Sequence, residues 1–391
     1  MKRRVRRSRR RPILAAVALA AATGGGCSPT YVARAGWEEA RILAKRRPIR
    51  EVVHDTATPP ALRAKLRLVQ DSRDFAERTL GLNAGASFRS FAPLTRDTLV
   101  LNISAAPEFE LRWKTWWFPI VGRVPYRGYF NFRAALREAD RLRKTGYDVW
   151  VRPVAAFSTL GWLPDPVLPT TLRLDSVALV ETIVHETTHT TFFPAGRAHF
   201  NESFANFVGN RGAILFFCEV TEQERLCEAA RDRWADTRVF GRFFQSLARP
   251  LQNLYARNLP ADTMRERKRR IFADAADRFR NQVRPRLKAG RYRDLEPERL
   301  NNAWVLSRLL YYTRLDDFEQ VYRQSGDLTA AIHRIITAAS QGDPWRALDA
   351  LARRPVTTAT QTPSSPQASA SARRPPPRTG SVRSPPGRDT F

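Results

Sequence analysis

The sequence predicts an α+β fold, predominantly helical, with a small sheet lying beside one central helix. Three observations predict it. Apolar residues recur at helical spacing over most of the chain between about 28 and 350. Only two stretches, 97–104 and 147–154, carry the β-branched and aromatic residues of strands. The segment 175–193 is apolar nearly all round in its first turns, which marks a buried helix.

In chain order, residues 1–11 hold eight positive charges and precede an apolar run from Pro12 to Ala22. A charged start, a short apolar run and small residues make a signal peptide over 1–26. The apolar run is shorter than the ~20 residues of a membrane-spanning helix. Thr23-Gly24-Gly25-Gly26-Cys27 resembles a bacterial lipobox, so Cys27 is expected to carry a lipid and 27–34 to form the anchored linker. From 28 to about 90 the pattern is helical, with Leu62, Leu66, Val69, Phe75 and Ala76 on the periodic positions. An aromatic segment over 113–132 leads to a helix over about 132–145, which Gly146 ends.

Asp175 is the expected N-cap of the helix over 175–193, and Pro194 and Gly196 its stop. A second helix is expected over about 201–217, weakened by Gly209 and Gly212. Residues 222–350 read as helical, with breaks at Pro250, Pro260, Gly290, Pro297 and Gly326. Residues 355–391 are rich in Pro, Ser, Thr and Arg with almost no large apolar side chain, so they are expected to be disordered. The folded part is expected to be one unit over 35–350.

The formal charge of +28 raises nucleic-acid binding, but 59 of the 66 basic residues are arginine, a skew that codon usage produces without a binding surface. No basic stripe with interleaved aromatics and no recognisable module is present, so no nucleic-acid partner is expected. Attraction to an anionic membrane surface fits the charge. The three cysteines form no Cys-x-x-Cys pair, which disfavours a thiolate metal site. Cys218 and Cys227 are either one disulfide or two buried thiols.

The chemistry concentrates at His185-Glu186-Thr187-Thr188-His189. Residues i and i+4 lie about 40° apart around a helix, so both imidazoles leave one face and can grip one Zn²⁺. Glu186 lies one step round, placed to act as general base on a water without ligating the ion. Two histidines and a glutamate at the end of a buried helix would be costly without such a partner. Hydrolytic zinc sites keep three protein ligands and one open position. Glu202 is the expected third ligand, delivered by the next helix, with Asn206 one turn on expected to hydrogen-bond a ligating histidine. His199 follows the break at Pro194 and Gly196 and is expected near the substrate. Tyr126, Tyr129, His199, Tyr311 and Tyr312 are the candidates for stabilising an oxyanion. The stretch 157–166 is either a cleft-lining edge or a structural turn.

Several runs occur together: Gly26-Cys27, Tyr126-Arg127-Gly128-Tyr129-Phe130, Ser158-Thr159-Leu160-Gly161-Trp162 with Asp165-Pro166, the His185–His189 run, Phe200-Asn201-Glu202-Ser203-Phe204-Ala205, and Asn301-Asn302-Ala303. In this order, over roughly 25–320, they resemble the bacterial family of putative aminopeptidases, predicted zinc-dependent lipoproteins. The resemblance implies a zincin-like metallopeptidase fold, one zinc per chain, a peptide substrate and a lipid-anchored protein facing the periplasm. The Gly-x-Met-Glu-Asn run by which well-known zinc aminopeptidases hold a substrate amine is absent, which leaves terminal against internal cleavage open. The rival reading is a non-catalytic envelope lipoprotein that keeps the zinc site for structure or interaction; an intact Glu186 speaks against it.

Overall fold

The computed structural model describes residues 43–94, 100–118, 122–154, 165–290 and 295–353. The expected signal peptide, Cys27 with its linker, most of 157–166 and the tail over 355–391 lie outside these residues. The described chain opens with β1 (Arg47–Pro48), α1 (Ile49–His54), α2 (Pro60–Arg78) and β2 (Ser90–Phe91). Next come β3 (Val100–Pro107), the paired strands β4 (Trp116–Phe118) and β5 (Gly122–Val124), β6 (Arg127–Tyr129), α3 (Phe132–Lys144) and β7 (Tyr147–Val154). A short α4 (Pro169–Leu172) precedes α5 (Ser176–Thr191) and α6 (Ala198–Leu215). The remainder is α7 (Glu224–Tyr255), α8 (Ala261–Arg278), α9 (Asn302–Tyr312), α10 (Leu315–Ser325), α11 (Leu328–Ala339) and α12 (Pro344–Ala352). The chain is therefore α+β and predominantly helical, with small sheets. Among the described residues no helix is long and apolar enough to cross a membrane.

The main sheet is antiparallel in the order β6-β3-β7, with Leu101 opposite Tyr129 and Ser104 opposite Trp150. Alternation along β3 sorts its two faces. Ile103 and Ala105 meet Ala135, Ala139 and Leu142 of α3, while Ala106 meets Ala303 and Leu306 of α9. The α3 helix starts where the Asn131 side chain accepts the Ala134 N–H at 2.8 Å, and the chain leaves it through Gly146 at φ +80°.

Three expected boundaries moved. The periodic stretch to about 90 stops as a helix at Arg78, because Gly81 turns left-handed at φ +67° and lets the Leu82 N–H reach the Ala76 carbonyl at 2.9 Å. That turn buries Leu80 and Leu82, so apolar spacing continues without helix. The helix expected over 201–217 begins at Ala198 instead, since the turn at Gly196 (φ +73°) is complete two residues earlier. Pro250 breaks nothing: it sits inside α7. Its ring removes the hydrogen bond to the Ser246 carbonyl, but both residues are exposed and water can serve that oxygen, while Leu247, Leu251 and Leu254 bury the opposite face.

The helical core sits around α5 and α6. Phe200, Phe204 and Phe207 of α6 pack on Phe318 of α10, with Trp345 of α12 edge-on to Phe200. Val177, Val180 and Val184 of α5 face that cluster, whereas Leu179 and Ile183 face Ile49, Val52, Leu66 and Val69 of α1 and α2. Burial on two sides is why α5 is apolar nearly all round. Each such large side chain contributes about 1.5–3 kcal/mol.

Polar groups tie the remaining elements. Glu319 of α10 is buried and accepts from Arg211 Nε at 2.8 Å and Trp234 Nε1 at 3.0 Å. At the start of α9, Asn302 Nδ2 donates to the carbonyls of Pro107, Glu108 and Glu110, and its backbone N–H donates to Asp148 at 2.8 Å. Asp148 also holds Lys268 Nζ of α8 at 2.6 Å. A π-helical turn, Phe216–Val220, continues α6, and its Cys218 is disulfide-bonded to Cys227 in the first turn of α7.

Candidate metal centre

The site begins with the cap of α5, where the Asp175 side chain accepts the Ala178 N–H at 2.9 Å. From there the helix runs without interruption to Thr191. Thr187 and Thr188, between the two histidines, are fully buried, and each hydroxyl donates to the carbonyl four residues back. Their polar groups are thus satisfied within the helix and leave the histidine face undisturbed.

Glycine brings the third residue into place. A Cβ at Gly209 would lie 2.7 Å from the Glu181 carbonyl oxygen, and one at Gly212 3.0 Å from Val184 Cγ1. The absence of these two side chains lets α6 lie directly on α5, so these positions are the helix contact rather than the weakness their type suggests. The close crossing carries Glu202, in the second turn of α6, onto the His185–His189 face.

The distances fit a metal. His185 Nε2 lies 3.3 Å from Glu202 Oε2, His189 Nε2 lies 3.5 Å from the same oxygen, and the two Nε2 atoms are 3.1 Å apart. Donor atoms held ~2.0–2.1 Å from one tetrahedral ion lie about 3.3 Å from each other. The three atoms therefore form one face of such a tetrahedron, with side chains only 16%, 4% and 11% exposed for His185, His189 and Glu202. Electrostatics agree. Burial pushes the Glu202 carboxyl up, but the His189 charge and hydrogen bonds from both imidazoles hold it well below the usual carboxylate range. Burial opposes a charge on His189, yet Glu202 and Glu186 outweigh it and raise its pKa. The donor set, two imidazoles and a carboxylate, suits zinc.

Around this face lie further groups. Arg152 of β7 donates to the Tyr311 hydroxyl at 3.1 Å, and the Tyr311 ring lies 6.2 Å from that of His185. Burial, and then the charge of Glu202, push the Tyr311 phenol up to about 12. Tyr126, just before β6, is raised still further by burial and by Glu202, and it also feels Tyr311, Arg152 and Glu186. Tyr129 packs on the sheet's own core instead, under the Arg127 guanidinium. Tyr312 packs edge-on against Phe240. A cavity of about 210 Å³ opens beside His185 and Glu186.

Two expected roles are corrected by the contacts. His199 does not face the cleft with a free nitrogen: its Nε2 accepts from Trp113 Nε1 at 2.9 Å, and its other nitrogen donates to the Leu309 carbonyl. Burial lowers its pKa, so it is a neutral strut between α6, α9 and the segment after β3. Asn206 shares the ligand face but donates to the Tyr311 carbonyl at 2.8 Å and accepts from Asn210, rather than bonding a histidine. Five of the six residues in the Phe200–Ala205 run have a visible task. Phe200 and Phe204 fill the core, Asn201 Nδ2 closes the Pro194 turn at 3.0 Å, Glu202 joins the histidines, and Ser203 donates to the Leu310 carbonyl. Arg152 was not among the expected site residues; its place in the alternation of β7 was the available signal.

A family model described as "Putative aminopeptidase" matches residues 30–347. No curated protein and no solved structure matches.

Proposed function

Because the chain belongs to the putative aminopeptidase family, we propose that it is a zinc-dependent peptidase with a zincin-like arrangement of α5 and α6. The observation that carries the reading is the triangle of His185, His189 and Glu202, whose spacing and burial suit one ion. Zinc held there supplies a Lewis acid that activates water and polarises a carbonyl. The chain's own groups do the rest. Glu186 lies next to the ligands in sequence and lines the same cavity as His185, so its carboxylate is placed to take a proton from the attacking water and return it to the leaving nitrogen. Arg152 can only donate to the Tyr311 hydroxyl, so the phenolic proton points elsewhere and is available to a developing oxyanion. Tyr126 is the second donor in reach of the same charges.

Glu186→Gln is expected to keep about one zinc per chain and to lose hydrolysis of a mixed peptide library by roughly three orders of magnitude or more. Glu202→Ala is expected to lose zinc to a mild chelator, read by native mass spectrometry. Full activity in Glu186→Gln would remove the mechanism, and zinc binding without any hydrolysis in the wild type would favour the non-catalytic reading.

The proposal extends to export and a lipid at Cys27, facing the periplasm. It rests on the charged start, the apolar run and Gly26-Cys27. Metabolic labelling with a fatty acid should mark the wild type and not Cys27→Ser; an unlabelled wild type removes the anchor.

A further inference from the structure

A second cavity, of about 270 Å³, lies between α7 and the end of α8. Two stripes of side chains line it. Arg242 and Ser246 stand one turn apart on α7. Arg278, Gln282 and Arg286 follow at four-residue steps, from α8 through the π-helical turn Phe279–Val283 into the 3₁₀ turn Arg284–Arg286. Thr237 of α7 lines the cavity at His185, and Val239 lines this one. Two residues turn a helix by about 200°, so the two cavities open on opposite faces of α7.

Three arginines line this cavity, and no aspartate or glutamate does. Arg278 is held in place: its guanidinium lies 5.3 Å from the centre of the Phe243 ring, and its Nη2 donates to Ser246 Oγ at 3.0 Å. Phe243 and Ser246 are themselves lining residues, so this head group stands at the cavity wall. Ser246 gives its own proton to the Phe243 carbonyl at 2.7 Å and keeps a lone pair for Arg278. Among the described residues no carboxylate pairs with Arg278, nor with the exposed Arg286. Arg242 uses only Nη1, at 3.1 and 2.9 Å from the oxygens of Asp316, a carboxylate that also serves Arg238 at 2.7 Å.

A guanidinium fixed by a ring and a hydroxyl, with no carboxylate to neutralise it, is a preorganised donor for an anion. Two more guanidiniums beside it repel it, and an anion among them removes that repulsion. Arginine forks match carboxylate and phosphate oxygens in pairs. Forks from two stripes and three chain positions suit a phosphoryl group, whose terminal oxygens point apart, better than a carboxylate with two oxygens in one plane. Val239, Val283 and the buried Phe243 ring give the cavity an apolar wall as well. A water needs about 30 Å³, so about 270 Å³ leaves room for an organic group next to the anion. We propose that this cavity binds a phosphoryl group on a small organic residue, either a soluble organic phosphate or a phospholipid headgroup. The proposal depends on neither the zinc nor the peptidase reading.

The test has two arms. The intact protein is titrated calorimetrically with glycerol phosphate, acetate and glycerol. Glycerol phosphate should bind at least about tenfold tighter than acetate, and glycerol should not bind, because a site built to hydrogen-bond a group rejects a guest that lacks it. Arg278→Gln should weaken the phosphate compound at least about tenfold, the loss of a charge-assisted hydrogen bond, and Arg286→Gln severalfold. Arg133→Gln with Arg137→Gln, two exposed arginines of α3, removes more charge and should change nothing. If Arg278→Gln does not fold, the exposed Arg286→Gln still decides. Acetate binding as tightly as glycerol phosphate overturns the proposal. So does binding that both cavity variants keep, which would give the anion to the metal triangle, or binding that the α3 variant loses equally, which would give it to overall charge. The second arm sediments the same chains with phosphatidylcholine vesicles, with and without phosphatidylglycerol. Binding to the anionic vesicles that the α3 variant keeps and the cavity variants lose upholds the cavity with a lipid headgroup as its ligand. Vesicle binding equal in all chains, with glycerol phosphate lost only in the cavity variants, upholds it with a soluble organic phosphate.

Discussion

Between α5 and α6 the close approach depends on what Gly209 and Gly212 lack, whereas between α9 and the β3–β7 sheet the apolar contact of Ala106 with Ala303 and Leu306 is joined by hydrogen bonds converging on Asn302 and Asp148. The first wall carries the three residues of the metal triangle. The second carries Tyr311 and Arg152, which hydrogen-bond each other beside that triangle. The difference is physical. Ligands must converge within a few tenths of an ångström, which close-packed helices enforce through steric contact. A polar junction instead fixes position by direction, and it fails as a unit when one partner goes.

The sharpest way to break the second wall is Asp148→Ala. It leaves Lys268 and the Asn302 N–H without their buried carboxylate, which costs about 3–5 kcal/mol by denaturant unfolding. Any protein that stays folded should still bind zinc, since the ligands belong to the other wall. Zinc loss in parallel with stability would show that the walls are not separable.

Gly209→Ala should cost less stability, about 2 kcal/mol, but should weaken zinc binding. Its methyl would meet the Glu181 backbone at 2.7 Å and lever Glu202 away from the histidines. Chelator titration measures this, and unchanged zinc affinity would mean the glycine contact does not set the ligand distances. The smallest effect belongs to Trp113→Phe, which keeps a ring while removing the donor to His199. About 1 kcal/mol of stability and no change in zinc content are expected; a large loss of zinc would tie His199 to the metal site.

How legible each wall was in the sequence follows from the same contrast. His185, Glu186 and His189 were readable because one helical turn relates them, and the α3 ends because Asn131 and Gly146 act locally. Glu202 was readable as a residue type on the next helix. What could not be read was whatever depends on a distant partner. His199 finds Trp113 86 positions earlier, and Asn206 finds the Tyr311 carbonyl 105 later, so neither pairing leaves a periodic trace. Gly209 and Gly212 look like helix weakeners until the opposing backbone is in view. Pro250 looks like a break because the sequence does not say that its face is wet.

The Cys218–Cys227 bond has a practical consequence for anyone preparing this protein. It spans 9 residues and fastens the far end of α6 to the start of α7. Glu202 lies sixteen positions upstream of Cys218, roughly 24 Å along the helix axis at 1.5 Å per residue. Material made in a reducing cytosol would therefore keep its ligands and load zinc normally. It would lose only the closed corner, worth about 2–3 kcal/mol by loop entropy, and would unfold at a lower temperature than oxidised material of identical metal content. A batch that passes a zinc assay can still be the wrong redox form, and a melting curve with and without reductant is the check that tells the two apart.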